Sequence, residues 1–297
     1  MEAAPIDDAL EAERPRLVAL AYRMLGSMAD AEDVVHDAVL RARAAAPSEL
    51  RSPAAYLTTT TTRTAIDHLR SARVRRESYV GPWLPEPVVG DAVADPESAA
   101  ELADSLSMAF LVVLESLTPA ERAALLLHDV FGLPHAEVAD AVGVSVPASR
   151  QLVHRARQHV EARRPRFEVD RARHAELVER FTAACNGADL DELLDLLTAD
   201  ATYVADGGAT TKAARHPIVG ATRVSRFMAY VYGRRARSKS AERIELNGEP
   251  AIAIYFRGKL DSVLFIEPGP DDRATTIYAL RNPEKLARIR ATLPGPT

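Results

Sequence analysis

The sequence predicts a multidomain chain, two small all-α domains followed by a C-terminal α+β domain. Three observations predict it: helical periodicity in two blocks, a proline-rich break between them, and short β-rich runs after residue 240. A length of 297 residues suits two domains or three small ones, each able to bury its own core. Hydrophobic residues make up 47% of the chain and charged residues 27%, which excludes a disordered polymer.

From Ile6 to about Arg76 apolar residues recur at helical spacing. Leu17, Leu20, Ala21, Met24 and Leu25 make the inner stripe of a first helix, which Gly26-Ser27 closes. Asp30 is the expected N-cap of a second helix running through Arg43, with Val34, Val35, Ala38 and Val39 on its apolar side. Ser52-Pro53, a capping serine before a first-turn proline, opens a third helix through Tyr56, Leu57, Ala65, Ile66 and Leu69. Between Glu77 and Ala103 no period survives, and Pro82, Pro85, Pro87 and Pro96 mark a linker. It carries the single tryptophan, Trp83, and a large aromatic usually finds something to pack against.

Helical periodicity resumes from about Asp104 to Arg164. Residues 172 to 198 also read as helices, with Leu177, Phe181, Leu190, Leu193, Leu194 and Leu197 apolar. Four β-rich runs follow, Glu242 to Leu246, Ala251 to Phe256, Ser262 to Ile266 and Ala274 to Leu280, with Asn247-Gly248 and Pro268-Gly269-Pro270 between them. An antiparallel sheet is expected there.

The most specific local pattern runs from Pro134 to Ser145. Ala139 is small enough for close helix approach, Gly143 suits a left-handed turn, and Ser145 can cap the next helix. This is helix-turn-helix logic. In the second helix Val146, Ser149, Leu152, Val153, Ala156 and Val160 face inward, which leaves Arg150, Gln151, His154, Arg155, Arg157 and Gln158 largely outside. Arg and Gln match guanine and adenine edges, and Arg also matches phosphate. A solvated face on an ordinary helical hairpin is the plainer alternative.

A net charge of −5 excludes a uniformly basic nucleic-acid coat. The charge is unevenly spread, however. Residues 145–166 carry six Arg against one Glu, net +5, and residues 63–76 carry five Arg, Arg63, Arg70, Arg73, Arg75 and Arg76, against Asp67, net +4. The two segments together hold +9, so the remainder holds −14. Two basic helices joined by a linker could hold two separated pieces of one nucleic acid.

A single cysteine, Cys185, rules out an internal disulfide and a thiolate metal site, and fits a reducing compartment. The N-terminus lacks a basic start and apolar run, and the longest apolar stretch, Met108 to Leu114, is too short to cross a bilayer. A soluble cytoplasmic protein is expected, with no membrane partner. GxSxG, HExxH, Walker and CxxC motifs are all missing from the sequence, so no catalytic residue, metal or cofactor is expected.

Leu25-Gly26-Ser27 followed by Ala31-Glu32-Asp33-Val34-Val35-His36-Asp37 resembles the core-polymerase-binding region 2 of bacterial RNA polymerase sigma factors. Tyr56-Leu57 with Asp67-His68-Leu69-Arg70 is similar to the adjoining promoter-melting helix. Leu117-Thr118-Pro119-Ala120-Glu121-Arg122 through His154-Arg155-Ala156-Arg157 resembles region 4. The plan without a middle domain is that of extracytoplasmic-function (ECF) sigma factors. Trp83-Leu84-Pro85-Glu86-Pro87, Asp206-Gly207-Gly208 and Asn282-Pro283-Glu284-Lys285-Leu286 resemble the signature segments of the sigma-J-like subgroup, which has a fused C-terminal SnoaL-like domain. Two departures stand out: the glycine run stops at Ala209, and Glu284 replaces the usual Asp.

The resemblance implies sigma region 2 over residues 1–76, a linker over 77–103, sigma region 4 over 104–166 and a cone-shaped, NTF2-like SnoaL-like domain over 170–292. It implies docking of Glu32, Asp33, Val34, Asp37 and Leu40 on the β′ clamp helices of core polymerase, and contact of region 4 with the β flap. The third helix, with Arg63, Arg70, Arg73, Arg75 and Arg76, would engage the −10 element. Arg150, Gln151, His154, Arg155 and Arg157 would read the −35 element. Trp83 is expected to pack on the C-terminal domain near Asp206, Gly207 and Gly208 and the turn of Asn282, Pro283, Glu284, Lys285 and Leu286, making that domain an in-chain regulator. Tyr203, Asp206, His216 and Tyr255 are candidates to line a pocket in such a domain, and a small molecule is a candidate partner there; a packing or hydrogen-bonding role without turnover is the favoured reading of the four. Two rival readings are a ligand-sensing helix-turn-helix regulator and a SnoaL-like isomerase with a DNA-binding appendage.

Overall fold

The computed structural model describes residues 5–45, 52–76, 79–90, 104–163, 170–187, 189–233 and 239–293. They form two compact units, Met1–Glu77 with Asp91–Arg164, and Ser78–Gly90 with Pro165–Thr297.

The first unit opens with three helices, α1 (Pro5–Leu25), α2 (Met28–Ala45) and α3 (Pro53–Arg76). Gly26 breaks α1 from α2 in the left-handed region, at φ 68°. The cap of α2 is Ser27, whose Oγ accepts the Asp30 N–H at 3.3 Å, and not Asp30 as the sequence suggested. A capping oxygen must precede the first helical turn, and Asp30 already lies inside it. Ser52 caps α3 as expected, accepting the Ala55 N–H at 3.2 Å. Leu17, Leu20, Tyr22 and Met24 of α1, Val35 and Ala38 of α2, and Leu57 and Ala65 of α3 are buried between the three helices.

A 3₁₀ turn (Asp104–Leu106) leads into α4 (Met108–Leu114), α5 (Pro119–Leu125), α6 (His135–Val142) and α7 (Val146–Arg163). Thr118 and Glu121 cap α5 reciprocally. The helix then widens into a π turn, Leu126–Val130. These helices dock on α1–α3 through two buried arginines. Arg122 Nη1 donates to Met24 O (2.6 Å) and Glu115 Oε1 (2.7 Å), and Arg23 Nε donates to Ser105 Oγ (2.9 Å). A buried guanidinium needs partners to be tolerated, and Arg122 Nη1 and Arg23 Nε find theirs across the two helix sets, although Arg122 Nε is buried without one.

The second unit begins with α8 (Arg171–Gly187) and α9 (Leu190–Asp195), followed by β1 (Leu197–Asp206), β2 (Ile218–Val219), α10 (Ala221–Met228), β3 (Lys239–Leu246), β4 (Glu249–Phe256), β5 (Lys259–Pro268), β6 (Ala274–Leu280) and α11 (Ala287–Thr292). The sheet order is β2-β1-β6-β5-β4-β3. The expected antiparallel sheet is therefore mixed, because β1 pairs in parallel with β6, Tyr203 opposite Ile277. Phe181, Leu193, Tyr203, Met228, Ile254, Ile266 and Ile277 meet in its core. Each such side chain contributes about 1.5–3 kcal/mol by leaving water.

Residues 79–90, read from the sequence as part of a proline-rich linker with Trp83 expected against the C-terminal domain, are extended and belong to this second unit. Leu84 and Val88 are buried, and Val88 exchanges two hydrogen bonds with Asn247, its N–H to Oδ1 (2.7 Å) and its carbonyl from the Asn247 N–H (2.9 Å).

Two tests follow from these contacts. Glu115→Ala leaves the buried Arg122 short of its carboxylate, so the first unit should lose about 3 kcal/mol, read as a lower urea midpoint. In the second unit α8 buries His174, with Nε2 2.8 Å from Ile266 O, and burial pulls its pKa below the ordinary imidazole value. A depressed imidazole pKa gives stability that is complete above about pH 6.5 and lost as pH falls through the folded value. The second unit's melting temperature should fall on acidification below that point, and His174→Gln should flatten the decline.

Candidate nucleic-acid interface and regulatory strap

The α6–α7 pair is built as a helix-turn-helix. Gly143 ends α6 in the left-handed region (φ 79°, ψ 40°), and Ser145 Oγ accepts the Ala148 N–H at 3.3 Å to start α7. Ala139, Ser149, Leu152, Val153 and Ala156 are buried at the helix contact, and Ser149 Oγ lies 3.0 Å from His135 O. This orientation turns Arg150, Gln151, His154, Arg155 and Arg157 outward. They are not equivalent. Arg155 Nε lies 3.1 Å from Glu121 Oε1, while Arg157 grips Asp129 with both Nε (2.8 Å) and Nη2 (2.6 Å).

The basic end of α3 also divides. Arg63 donates through Nη2 to Asp140 O (2.6 Å) and through Nε to Ala141 O (3.3 Å), at the C-terminal end of α6 where helix carbonyls lack partners. In this conformation Arg63 is therefore occupied. Arg70 is exposed and pairs with Asp67 at 3.2 Å, and the side chains of Arg73, Arg75 and Arg76 lie outside the described residues. Along α2, Asp33 and Asp37 are exposed, Glu32 is half-buried, and Leu40 is 49% exposed, unusual for its size. Val34 is 2% exposed and packs inward, so as a docking contact it is corrected to a core residue.

In the second unit the three loop segments singled out in the sequence converge on one carboxylate. Asp206, at the end of β1, is 0% exposed. Its Oδ1 accepts from the Tyr79 hydroxyl (2.5 Å) and the Gly208 N–H (3.0 Å), and its Oδ2 from the Leu84 N–H (3.0 Å) and Lys285 Nζ (2.7 Å). Lys285 also donates to Leu84 O and sits 4.0 Å from the Trp83 ring centroid, a cation–π contact. Asn282 closes the cluster, giving Nδ2–H to the Tyr79 hydroxyl (3.0 Å) and accepting the Glu284 N–H on Oδ1 (3.0 Å). Desolvation, followed by the Asp206 hydrogen bond, pushes the Tyr79 pKa well above its usual value.

The other signature residues fall around this centre. Pro85, Glu86, Pro87 and Leu286 are buried, Pro283 is half-buried, and Glu86 Oε1 lies 3.6 Å from Arg288 Nε. Gly207 and Gly208 are required by space. A Cβ at Gly208 would come 2.8 Å from Asn282 Cγ, and one at Gly207 would strike Thr211 O and approach Ala213 Cβ to 2.7 Å. Ala209 and Glu284, the two departures from the subgroup pattern, are exposed, where exchange is cheap. Sequence reasoning missed Tyr79, Asn247 and Arg288. The signal for Tyr79 was its place four residues before the single tryptophan.

The four pocket candidates differ in exposure. Tyr203 is buried against Phe227, with ring centroids 5.1 Å apart, Tyr255 is buried, and His216 is exposed. Asp206 has its oxygens met by the chain's own donors. Among the described residues no group of three or more His, Cys, Asp or Glu could hold a metal, and no helix is long and apolar enough to cross a membrane.

Residues 9–75 match the Sigma-70 region 2 family, and residues 107–160 match the Sigma-70, region 4 family. The first of these covers the three-helix bundle and the second the helix-turn-helix. The chain is 43% identical over 220 residues to the ECF RNA polymerase sigma factor SigJ of Mycobacterium tuberculosis, spanning 73% of this chain and 70% of that protein. It is 33% identical over 298 residues to the probable ECF RNA polymerase sigma factor SigI of the same species, spanning 98% of each. The crystal structure of the M. tuberculosis factor SigJ superposes with a TM-score of 0.74 at 34% identity, covering 95% of this chain and 98% of that one. The chain belongs to the ECF RNA polymerase sigma factors, and the mixed six-stranded sheet with its helices follows region 4 as a further unit. As a member of that family it acts in promoter-directed transcription initiation.

Because Trp83 is the only tryptophan, its fluorescence reports directly on the docking of residues 79–90, the strap. Asp206→Asn removes the charge that Lys285 and the strap answer, and should move the emission maximum to the red. Gly208→Ala should do the same through its collision with Asn282. An emission maximum unchanged in both would show that the cluster does not hold the strap.

Proposed function

We propose that regions 2 and 4 divide promoter recognition between them, and that the strap couples the SnoaL-like domain to that work. α2 offers Asp33, Asp37 and Glu32 around the exposed Leu40 to the β′ clamp helices of core polymerase, an acidic rim about one apolar contact. α3 engages the −10 element as the strands separate, with Arg70 and, once it leaves the α6 carbonyls, Arg63 near phosphate. α7 enters the major groove at the −35 element with Arg150, Gln151, His154 and Arg155, and the back of region 4 meets the β flap. The setting is the cytoplasm, where core polymerase and promoter DNA are found.

The observation that carries the regulatory part is that residues 79–90 connect region 2 to region 4 in sequence yet fold with the C-terminal domain. Releasing or docking the strap changes the free length of the tether between the two DNA-reading regions. The reading needs no small-molecule ligand, since the group best suited to bind one, Asp206, is spent on the strap. Runoff transcription with core polymerase tests both parts. The full chain should direct initiation, and Trp83→Ala should change the yield. Lack of core binding would refute the first part; equal yield with an unchanged inter-domain arrangement would refute the second.

A further inference from the structure

Arg157 sits on the outer face of α7, seven residues beyond Arg150 and three beyond His154, so periodicity alone gives all three to the same DNA-facing stripe. Two observations set it apart. Its guanidinium holds Asp129 through two parallel N–H···O bonds, 2.8 and 2.6 Å, and the partner carboxylate is only 26% exposed, on the π turn that precedes the helix-turn-helix. Recognition helices also read bases mainly from their N-terminal residues, and Arg157 lies eleven residues past Val146, about 16 Å along the axis.

A planar fork matched to a carboxylate fixes orientation as well as distance. The π turn is itself held by ladder bonds, Phe131 N–H to Leu126 O (2.9 Å) and Leu133 N–H to Leu127 O (2.9 Å). The carboxylate is therefore presented from a braced segment. We propose that Arg157 is a positioning residue, clamped by Asp129 so that α7 keeps the angle at which Arg150, Gln151 and His154 meet the promoter, and that it makes no phosphate contact of its own. This rests on the reading of α7 as the −35 helix.

The two roles differ in salt dependence and in the sign of one substitution. A phosphate contact contributes about 0.9 to the slope of log K against log salt, whereas a clamp contributes none. The probe is a duplex selected from a random pool by holoenzyme made with the full-length chain, and binding is measured across a salt series. Arg157→Gln should weaken binding about fivefold, the scale of a well-formed surface ion pair, with the slope unchanged. Asp129→Asn should weaken it similarly, and the double variant should be no worse than either single one. As control, Arg150→Gln should lower the slope by about 0.9 or lose base preference.

A slope reduced by about 0.9 in Arg157→Gln would overturn the clamp. So would an Asp129→Asn chain that binds as tightly as the parent or more tightly, since a merely competing carboxylate would then have been removed. If Arg150→Gln binds with the parent's affinity, slope and base preference, the reading of α7 as the −35 helix fails and the clamp falls with it.

Discussion

Asp206 sets the conditions for most of the second unit. A carboxylate with no solvent exposure is tolerated only when its lone pairs are answered, because burial without partners costs several kcal/mol. Its four donors come from three stretches of chain, Tyr79 and Leu84 from the strap, Gly208 from the loop after β1, and Lys285 from the turn after β6. Each stretch therefore depends on the other two. The prolines of the strap serve the same constraint. Pro82, Pro85 and Pro87 carry no N–H, so an extended segment outside any sheet lies in a largely buried position with few donors to satisfy. Between them, the Leu84 and Val88 N–H groups find side-chain acceptors in Asp206 and Asn247.

Arginine does different work in the first unit according to where it sits. Arg23 and Arg122 are buried and knit region 2 to region 4. Arg63 terminates α6 by meeting its last carbonyls, a use that the helix dipole favours. Arg150 is exposed, whereas Arg157 is forked onto a carboxylate. Counting basic residues along a helix gives the electrostatic footprint of a DNA-binding surface, but the distribution of carboxylates and carbonyls around them decides which charges are available.

Much of this architecture was legible because the signals are local. Ser52-Pro53, Gly143 and Ser145 each answer a terminus-specific hydrogen-bonding need, and each sits where the sequence placed it. What the sequence hid was non-local. β1 contains Ala199, Asp200 and Ala201 in its first half, and its first residues read as the tail of a helix; its strand state depends on parallel pairing with β6, some seventy residues on. α10 and the mixed sheet went unseen for the same reason. In the site, the signature glycines and Asn282 were readable as a pattern, but Tyr79 was not, since a tyrosine in a proline-rich break has no periodicity to betray its partner. Val34 was misassigned because an acidic motif includes the apolar residue that holds it to the core.

The strap also bears on how such a factor can be dissected. A cut placed near residue 165, where region 4 ends in sequence, does not simply subtract a domain. It removes the surface against which Leu84 and Val88 are buried and the carboxylate that Tyr79 and Leu84 address, while leaving those groups on the retained fragment. The remaining chain gains an apolar, adhesive segment between region 2 and region 4. A change in its behaviour then mixes loss of the domain with exposure of the strap. A clean subtraction needs paired polar replacements at Leu84 and Val88, so that the severed chain and the intact one differ in a single respect.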